Sequence, residues 1–171
     1  MNQTPFEEIR NARTTMRESV DWFKRQISKL RGVTPEKLLR DESRITSRIR
    51  KQKMYMFKYM PKTRKKLPYY DTFPLILPLE LYPNGFLGLN FHYLNPNVRK
   101  RLLEAIGNGR VTYRSLKNNR YLKPTIKRYL NQFVYSRFLE ISEEDWETSI
   151  YLPVERFEKA TNKVVWSNAL S

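Results

Sequence analysis

Two prolines in one apolar segment place the strongest constraint on how this chain folds. The segment Phe73–Glu80 reads Phe-Pro-Leu-Ile-Leu-Pro-Leu-Glu, which is typical of a β-strand in length and composition. Pro74 and Pro78 are four residues apart, so their missing N–H groups face the same side of an extended chain. We therefore predict an edge strand, or a strand bounded by bulges. Its proline side is expected to be open to solvent, covered by a loop or completed by another subunit.

Neighbouring segments predict the rest of an antiparallel sheet. Aromatic residues occupy every second position from 55 to 59, which is typical of a strand with one aromatic face. The turn sequence Tyr82–Gly85 connects the proline-containing strand to a returning strand. We predict an α+β fold. Residues 54–93, with a further strand near 137–141, form a small antiparallel sheet or a partly open β-barrel decorated by helices.

Helix signals surround this sheet. Asn95 caps a helix that begins with a proline and ends at Gly107. Pro124 opens another predicted helix, which reaches Phe133 with its apolar residues facing inward. A threonine, a proline and a glutamate open a predicted helix over residues 34–53, whose cationic end suits the helix dipole.

The N-terminal segment 5–31 predicts one long amphipathic helix that Gly32 ends. Its apolar residues recur at heptad a and d positions, and such a narrow seam fits a helix packed on a partner helix, in this chain or in another. The candidate partner-binding residues are Phe6, Ile9, Met16, Val20, Phe23, Ile27 and Leu30. We predict that residues 1–52 form an N-terminal arm of two helices and that residues 53–171 form a basic α+β domain.

Two acid-poor blocks carry the positive charge of the chain. Among 171 residues there are 33 Lys and Arg against 17 Asp and Glu, for a formal net charge of +16. The blocks at residues 44–66 and 99–137 contain one acid between them, Glu104. Such a distribution predicts a surface for a polyanion or an acidic partner. The candidate nucleic-acid-binding residues are Arg44, Arg48, Arg50, Lys51, Lys53, Lys58, Lys62, Arg64, Lys65, Lys66, Arg99, Lys100, Arg101, Arg110, Arg114, Lys117, Arg120, Lys123 and Lys127.

Aromatic residues are interleaved with these cations at residues 53–59 and 110–121. In that pattern, cations could contact phosphates while the rings stack on bases. The alternative is that the rings pack in the core. We favour core packing for the aromatic residues at 55–59, and for Tyr113 and Tyr121 both interpretations stay open.

Residues that support catalysis are scarce. The chain has no Cys and a single His, which excludes disulfides, thiolate zinc sites and multi-histidine metal centres. Between Ser43 and Leu139 the only acids are Asp71, Glu80 and Glu104. His92 is interpreted as a hydrogen-bonded surface residue. We expect no catalytic residue, cofactor, metal site or small-molecule substrate, and hence a protein that is not an enzyme. No apolar run approaches the length of a membrane span, so no membrane partner is expected.

Four stretches within roughly residues 45–165 read MYMFKY, KKLPYYDTFPLILPLE, GFLGLNFHYLNPNVRKRLL and RFLEISEEDWETSIYLPVERFEKAT. They resemble a family of small basic proteins from T-even-type tailed bacteriophages. The chain differs from the family pattern at Met60, where we expect an Asp before the proline. The resemblance implies a virion component made in the host cytoplasm, with roles that range from structural protein to DNA-end protection. It brings no catalytic residues.

Charge and resemblance together favour a non-enzymatic virion structural or adaptor protein. Its basic surface would contact packaged DNA or an acidic neighbouring subunit, and other phage structural proteins would be its partners. The alternative is a DNA-binding protein without sequence preference that shields DNA ends. Whether the polyanion is DNA, RNA or protein stays open, and stoichiometric presence in purified virions separates these two hypotheses.

Overall fold

The computed structural model describes residues 3–13 and 18–169 of the chain. Its centre is a six-stranded antiparallel sheet with the strand order β1-β7-β2-β4-β5-β6, and β3 and β8 form a separate antiparallel pair. The strands are β1 (Ile45–Thr46), β2 (Met54–Met56), β3 (Tyr70–Asp71), β4 (Leu75–Tyr82), β5 (Gly85–Asn90), β6 (Ile126–Leu130), β7 (Phe138–Ile141) and β8 (Phe157–Glu158). The edges β1 and β6 do not pair with each other, so the sheet is not a closed barrel.

The proline-containing strand β4 lies inside this sheet, between β2 and β5. The edge-strand prediction is therefore wrong, whereas the predicted bulge is confirmed by a register shift between Pro78 and Glu80. Pro74 precedes the strand, and the β2 ladder pairs only with Leu75 and Ile76. Because that ladder ends before Pro78, the strand accommodates its proline without an edge position.

Seven α-helices surround the sheet in the described part of the chain. They are α1 (Pro5–Ala12), α2 (Val20–Ser28), α3 (Pro35–Leu38), α4 (Pro96–Gly107), α5 (Tyr113–Lys117), α6 (Trp146–Ser149) and α7 (Asn162–Ala169). The helix predicted after Asn95 is confirmed as α4, because the Asn95 side chain accepts a hydrogen bond from the Val98 amide. No described helix is both long enough and apolar enough to cross a bilayer.

The prediction of a single long N-terminal helix is wrong. Arg13 ends α1 in an extended conformation with ψ 135°, and Ser19 opens α2 by accepting a hydrogen bond from the Trp22 amide. The heptad spacing is real, but two short helices that pack on each other satisfy it as well as one long helix does. The second predicted helix is also shorter than expected, since α3 ends at Leu38 and Ile45 belongs to β1.

The segment predicted as a helix after Pro124 is instead a short 3-10 turn followed by strand β6. Proline fits both structures, so it does not distinguish them. The open side of β5 decides the outcome, because β6 pairs with it at five positions from Gly85 to Leu89. Tertiary pairing here overrides the local helix signal.

The sheet has a core on each face, because neighbouring residues of a strand point to opposite sides. In β2, Met54 and Met56 belong to the larger core under the helices, whereas Tyr55 belongs to the other face. The second core is an aromatic cluster, in which the predicted packing of the rings at 55–59 is confirmed. Its buried members are Tyr55, Phe57, Tyr59, Ile76, Phe86, Tyr129 and Phe138.

Most of the described residues of the N-terminal seam pack inside the chain. Phe6, Ile9, Phe23 and Ile27 are buried in the larger core, and Val20 and Leu30 are partly buried against it. The four buried residues are therefore not accessible to a partner, which corrects their interpretation as partner-binding. For Val20 and Leu30 that interpretation stays a prediction, and Met16 lies outside the described residues. The described residues before position 53 thus share a core with the rest of the chain. The division into an N-terminal arm of residues 1–52 and a basic domain stays a prediction.

Candidate nucleic-acid interface

Most of the cations predicted to bind nucleic acid lie on the surface, where they can meet an anion. The exposed ones are Arg48, Arg50, Lys51, Lys53, Lys62, Arg64, Lys65, Lys66, Arg101, Arg110, Arg114, Lys117, Arg120 and Lys123. Arg44, Lys58, Lys100 and Lys127 are half-buried, and Arg99 is buried.

Arg99 does not bind nucleic acid in this fold, because its side chain is 0% exposed. Its guanidinium donates to the carbonyls of Leu94 at 2.7 Å and Ile150 at 2.6 Å, and it pairs with Glu155 at 2.8 Å. Burial lowers the pKa of Arg99, and the Glu155 carboxylate opposes that effect. The sequence carried one signal of this role, since Arg99 lies three residues before the buried Leu102 and shares its helix face.

Arg44 also has a structural role. Its guanidinium binds the buried carboxylate of Asp145 at 2.9 Å and that of Asp41 at 3.3 Å. Arg10 of α1 reaches the same Asp145 carboxylate at 2.6 Å. These ion pairs attach the N-terminal helix and the start of the first basic block to the segment before α6, so Arg44 is not available to an external anion.

The exposed cations of the first block lie at two ends of the sheet. Residues 48–53 precede β2, and residues 62–66 follow its extension through Tyr59, which forms a bridge to Val134. At about 3.3 Å per extended residue, residues 54–60 separate the two groups by roughly 20 Å. The block that is continuous in sequence is therefore divided in space.

The first group lies near the β4–β5 hairpin. Lys117 of α5 forms an ion pair with Glu80. That pair, with a further contribution from Lys51, lowers the pKa of Glu80. Arg128 of β6 lies 3.7 Å from the Tyr82 ring centroid. Cations of both blocks meet at this hairpin end, but the Glu80 carboxylate already pairs with Lys117.

The second group forms a basic loop at residues 61–68. Lys159, which lies outside both predicted blocks, donates from Nζ to the carbonyls of Arg64 at 2.5 Å, Lys65 at 3.3 Å and Leu67 at 3.0 Å. Its backbone φ is 72°, and β8 places it beside the loop through the pairing of Tyr70 with Glu158. Sequence reasoning missed Lys159, because only tertiary structure brings it to the loop.

Aromatic rings connect this loop to the second basic block. Lys127 of β6 lies 4.5 Å from the Tyr93 ring centroid, and burial lowers its pKa. The Tyr93 ring contacts Phe157 at 5.1 Å and Tyr69 at 6.1 Å between centroids. Tyr69 directly follows the loop. We define the loop-end surface as Lys62, Arg64, Lys65, Lys66, Lys127 and Lys159.

One comparison with known proteins identifies the family. A family model described as Phage T4 terminal DNA protecting protein matches residues 6–169. The chain belongs to this family. The match extends from α1 to α7 and so includes the N-terminal helices, which the resemblance found in the sequence did not cover. No curated protein and no solved structure matches the chain.

In this member of the terminal DNA protecting protein family, two tyrosines are largely exposed. Tyr121 is 62% exposed with the Arg120 guanidinium 5.1 Å from its ring, and Tyr135 is 63% exposed. Tyr113 instead packs partly against the larger core. Of the two rings whose roles were open, Tyr121 is therefore the one accessible to a base.

The only histidine lies in a buried polar cluster and not on the surface, so the surface interpretation of His92 is wrong. His92 Nδ1 lies 2.8 Å from the Asp71 carboxylate, which also accepts hydrogen bonds from Asn90 and the Phe73 amide. Burial opposes ionisation of Asp71, but attraction and hydrogen bonding by His92 and Asn90 hold its pKa below the ordinary value. Within the described ranges, no group of three or more His, Cys, Asp or Glu side chains could hold a metal ion.

Proposed function

We propose that this chain binds the ends of linear DNA and shields them, and that it does so without catalysing a reaction. The observation that carries the proposal is the loop-end surface, in which four exposed cations of the loop lie beside Lys159, and the Tyr69 and Tyr93 rings connect the loop to Lys127. Membership of a family named for protecting terminal DNA supports DNA as the anion.

The chemistry of this surface suits phosphate groups. Four exposed cations occur within the five residues 62–66, and prolines at both ends of the loop restrict its backbone. Lysine and arginine side chains neutralise phosphates and release counterions, which gives affinity without sequence preference. The bound protein would then cover the end sterically.

One observation that favoured a virion adaptor function no longer supports it. That hypothesis drew on an N-terminal seam for a neighbouring subunit, and four of the seam residues are buried in the chain's own core. Presence in the particle is nevertheless compatible with DNA-end binding, because a protein bound to packaged DNA would be carried with it. Mass spectrometry of purified virions tests that presence, and a stoichiometric amount per DNA end is expected.

Protection of DNA ends can be measured directly. A blunt linear duplex is incubated with the protein and then with a processive exonuclease. Binding is also measured to a duplex closed by hairpins at both ends, which shows how strongly the protein binds DNA that has no end. We expect protection that saturates at a fixed number of molecules per end, is independent of sequence and weakens with salt. Absence of binding to both duplexes at low salt would contradict the proposal. The basic surface would then be assigned to an acidic protein partner.

A further inference from the structure

A small pocket opens beside the basic loop. Its volume is about 290 Å³, which lies at the lower end of the range for small-molecule sites. It is formed where α3, the extension of β2 and the segment before β7 meet. The loop begins at Pro61, directly after the pocket residue Met60. The pocket therefore lies directly before the basic loop that we assign to DNA.

One wall of the pocket is an exposed aromatic ring on a fixed backbone. Tyr135 lines the pocket and is 63% exposed. Its amide donates to the Lys58 carbonyl at 2.8 Å, and the Met60 amide donates to the Phe133 carbonyl at 3.1 Å. Met60 and the buried Phe73 add further apolar wall. A flat ligand can thus contact Tyr135 without ordering a flexible loop first.

The rim of the pocket carries two cations and one acid. Lys58 forms an ion pair with Glu36 at 3.5 Å. Arg156 donates from Nη1 to the carbonyls of Pro153 at 3.3 Å and Glu155 at 2.8 Å, which holds its guanidinium near the pocket. The net charge of these three rim groups is +1, and the loop adds further positive charge. An anionic ligand with an aromatic face fits this combination.

A terminal nucleotide offers both features, whereas the interior of a duplex does not. Bases inside a duplex are stacked on both sides, and extruding one costs a few kcal/mol. An end base is stacked on one side only and leaves the helix more readily. Aromatic side chains stack on any base, so such a contact would favour ends without favouring a sequence.

We propose that this pocket takes the terminal nucleotide of a DNA end, with the base against Tyr135 and its phosphate at Lys58 and Arg156. The inference rests on the proposed function and adds how an end is distinguished from internal duplex.

Three variants and two duplexes test the pocket. Tyr135→Ala removes the ring, Tyr135→Phe retains it, and Leu81→Ala is a control at another exposed apolar residue, 45% exposed on β4. Affinities are measured for an open blunt duplex and for a duplex closed by hairpins. Tyr135→Ala is expected to weaken binding to the open duplex roughly 5- to 30-fold and to leave the closed duplex unchanged. Tyr135→Phe and Leu81→Ala should resemble the wild type on both.

A fluorescent base gives a second readout. With 2-aminopurine at the last position of the open duplex, binding of the wild-type protein should change the emission, and Tyr135→Ala should abolish that change. With 2-aminopurine at an internal position, binding should leave the emission unchanged. Thermal melting of each variant verifies that the fold is intact.

The outcomes separate this proposal from the function on which it rests. If the wild-type protein binds neither duplex, the proposed function fails. If the wild type prefers the open duplex and Tyr135→Ala keeps the same preference, DNA-end binding stands and the pocket proposal is overturned. Equal losses on open and closed duplexes would also overturn it, because Tyr135 would then contact DNA that has no end.

Discussion

The basic loop at residues 61–68 carries four exposed cations, and replacing all of them with glutamine tests whether they contact phosphates. The residues to change are Lys62, Arg64, Lys65 and Lys66. Each phosphate neutralised on duplex DNA contributes about −0.9 to the slope of log affinity against log salt, so four contacts account for a slope of about −3 to −4. When the salt concentration falls from 1 M to 0.1 M, four such contacts therefore raise the affinity roughly 10³- to 10⁴-fold, which corresponds to about 5 kcal/mol.

The assay is fluorescence anisotropy of a labelled blunt duplex titrated at several salt concentrations. A matched control removes four exposed cations at the hairpin end of the sheet, and both variants lose four charges from the formal +16. The control residues are Arg48, Arg50, Lys51 and Lys53. We expect a much shallower salt slope for the loop variant than for the control. Equal slopes in the two variants would refute the reasoning, because binding would then follow net charge and not the loop-end surface.

Three further predictions concern the fold that supports this surface. Arg99→Met should destabilise the protein by about 3–5 kcal/mol, because the buried Glu155 carboxylate loses its partner. The control Arg101→Met, on the exposed side of α4, should change the midpoint of urea unfolding little. Asp71 contributes stability in full above about pH 4, and this is lost as the pH falls further, because its folded-state pKa is lowered. Asp71→Asn should therefore lower stability at pH 7 and flatten the acid branch of a pH series of urea melts. Gly85→Ala should separate β6 from β5 and lower the melting temperature, since a Cβ there would lie 1.9 Å from the Tyr129 carbonyl oxygen; unchanged melting would contradict that contact.

Features that depend on neighbouring residues in the chain could be predicted from the sequence. The alternating aromatics at 55–59 predict a strand, which the structure shows as β2 up to Met56 with a single further bridge at Tyr59. Asn95 with the following proline identifies the start of α4. The bulge at Pro78 follows from the chemistry of proline itself. The resemblance to a T-even phage family rested on stretches of the same kind, and the family match confirmed it.

The sequence alone determined that this chain has two acid-poor blocks, an antiparallel sheet and a place among phage proteins. Only the tertiary structure decided which cations are free. Arg99 and Arg101 lie in one basic run, yet the Ile150 carbonyl and the Glu155 carboxylate, both distant along the chain, bind Arg99, whereas Arg101 is exposed. Lys159 joins the basic loop from beyond both blocks. The physical reason is that burial and pairing depend on groups brought together by folding, whereas composition and periodicity report only on residues that are close in the chain.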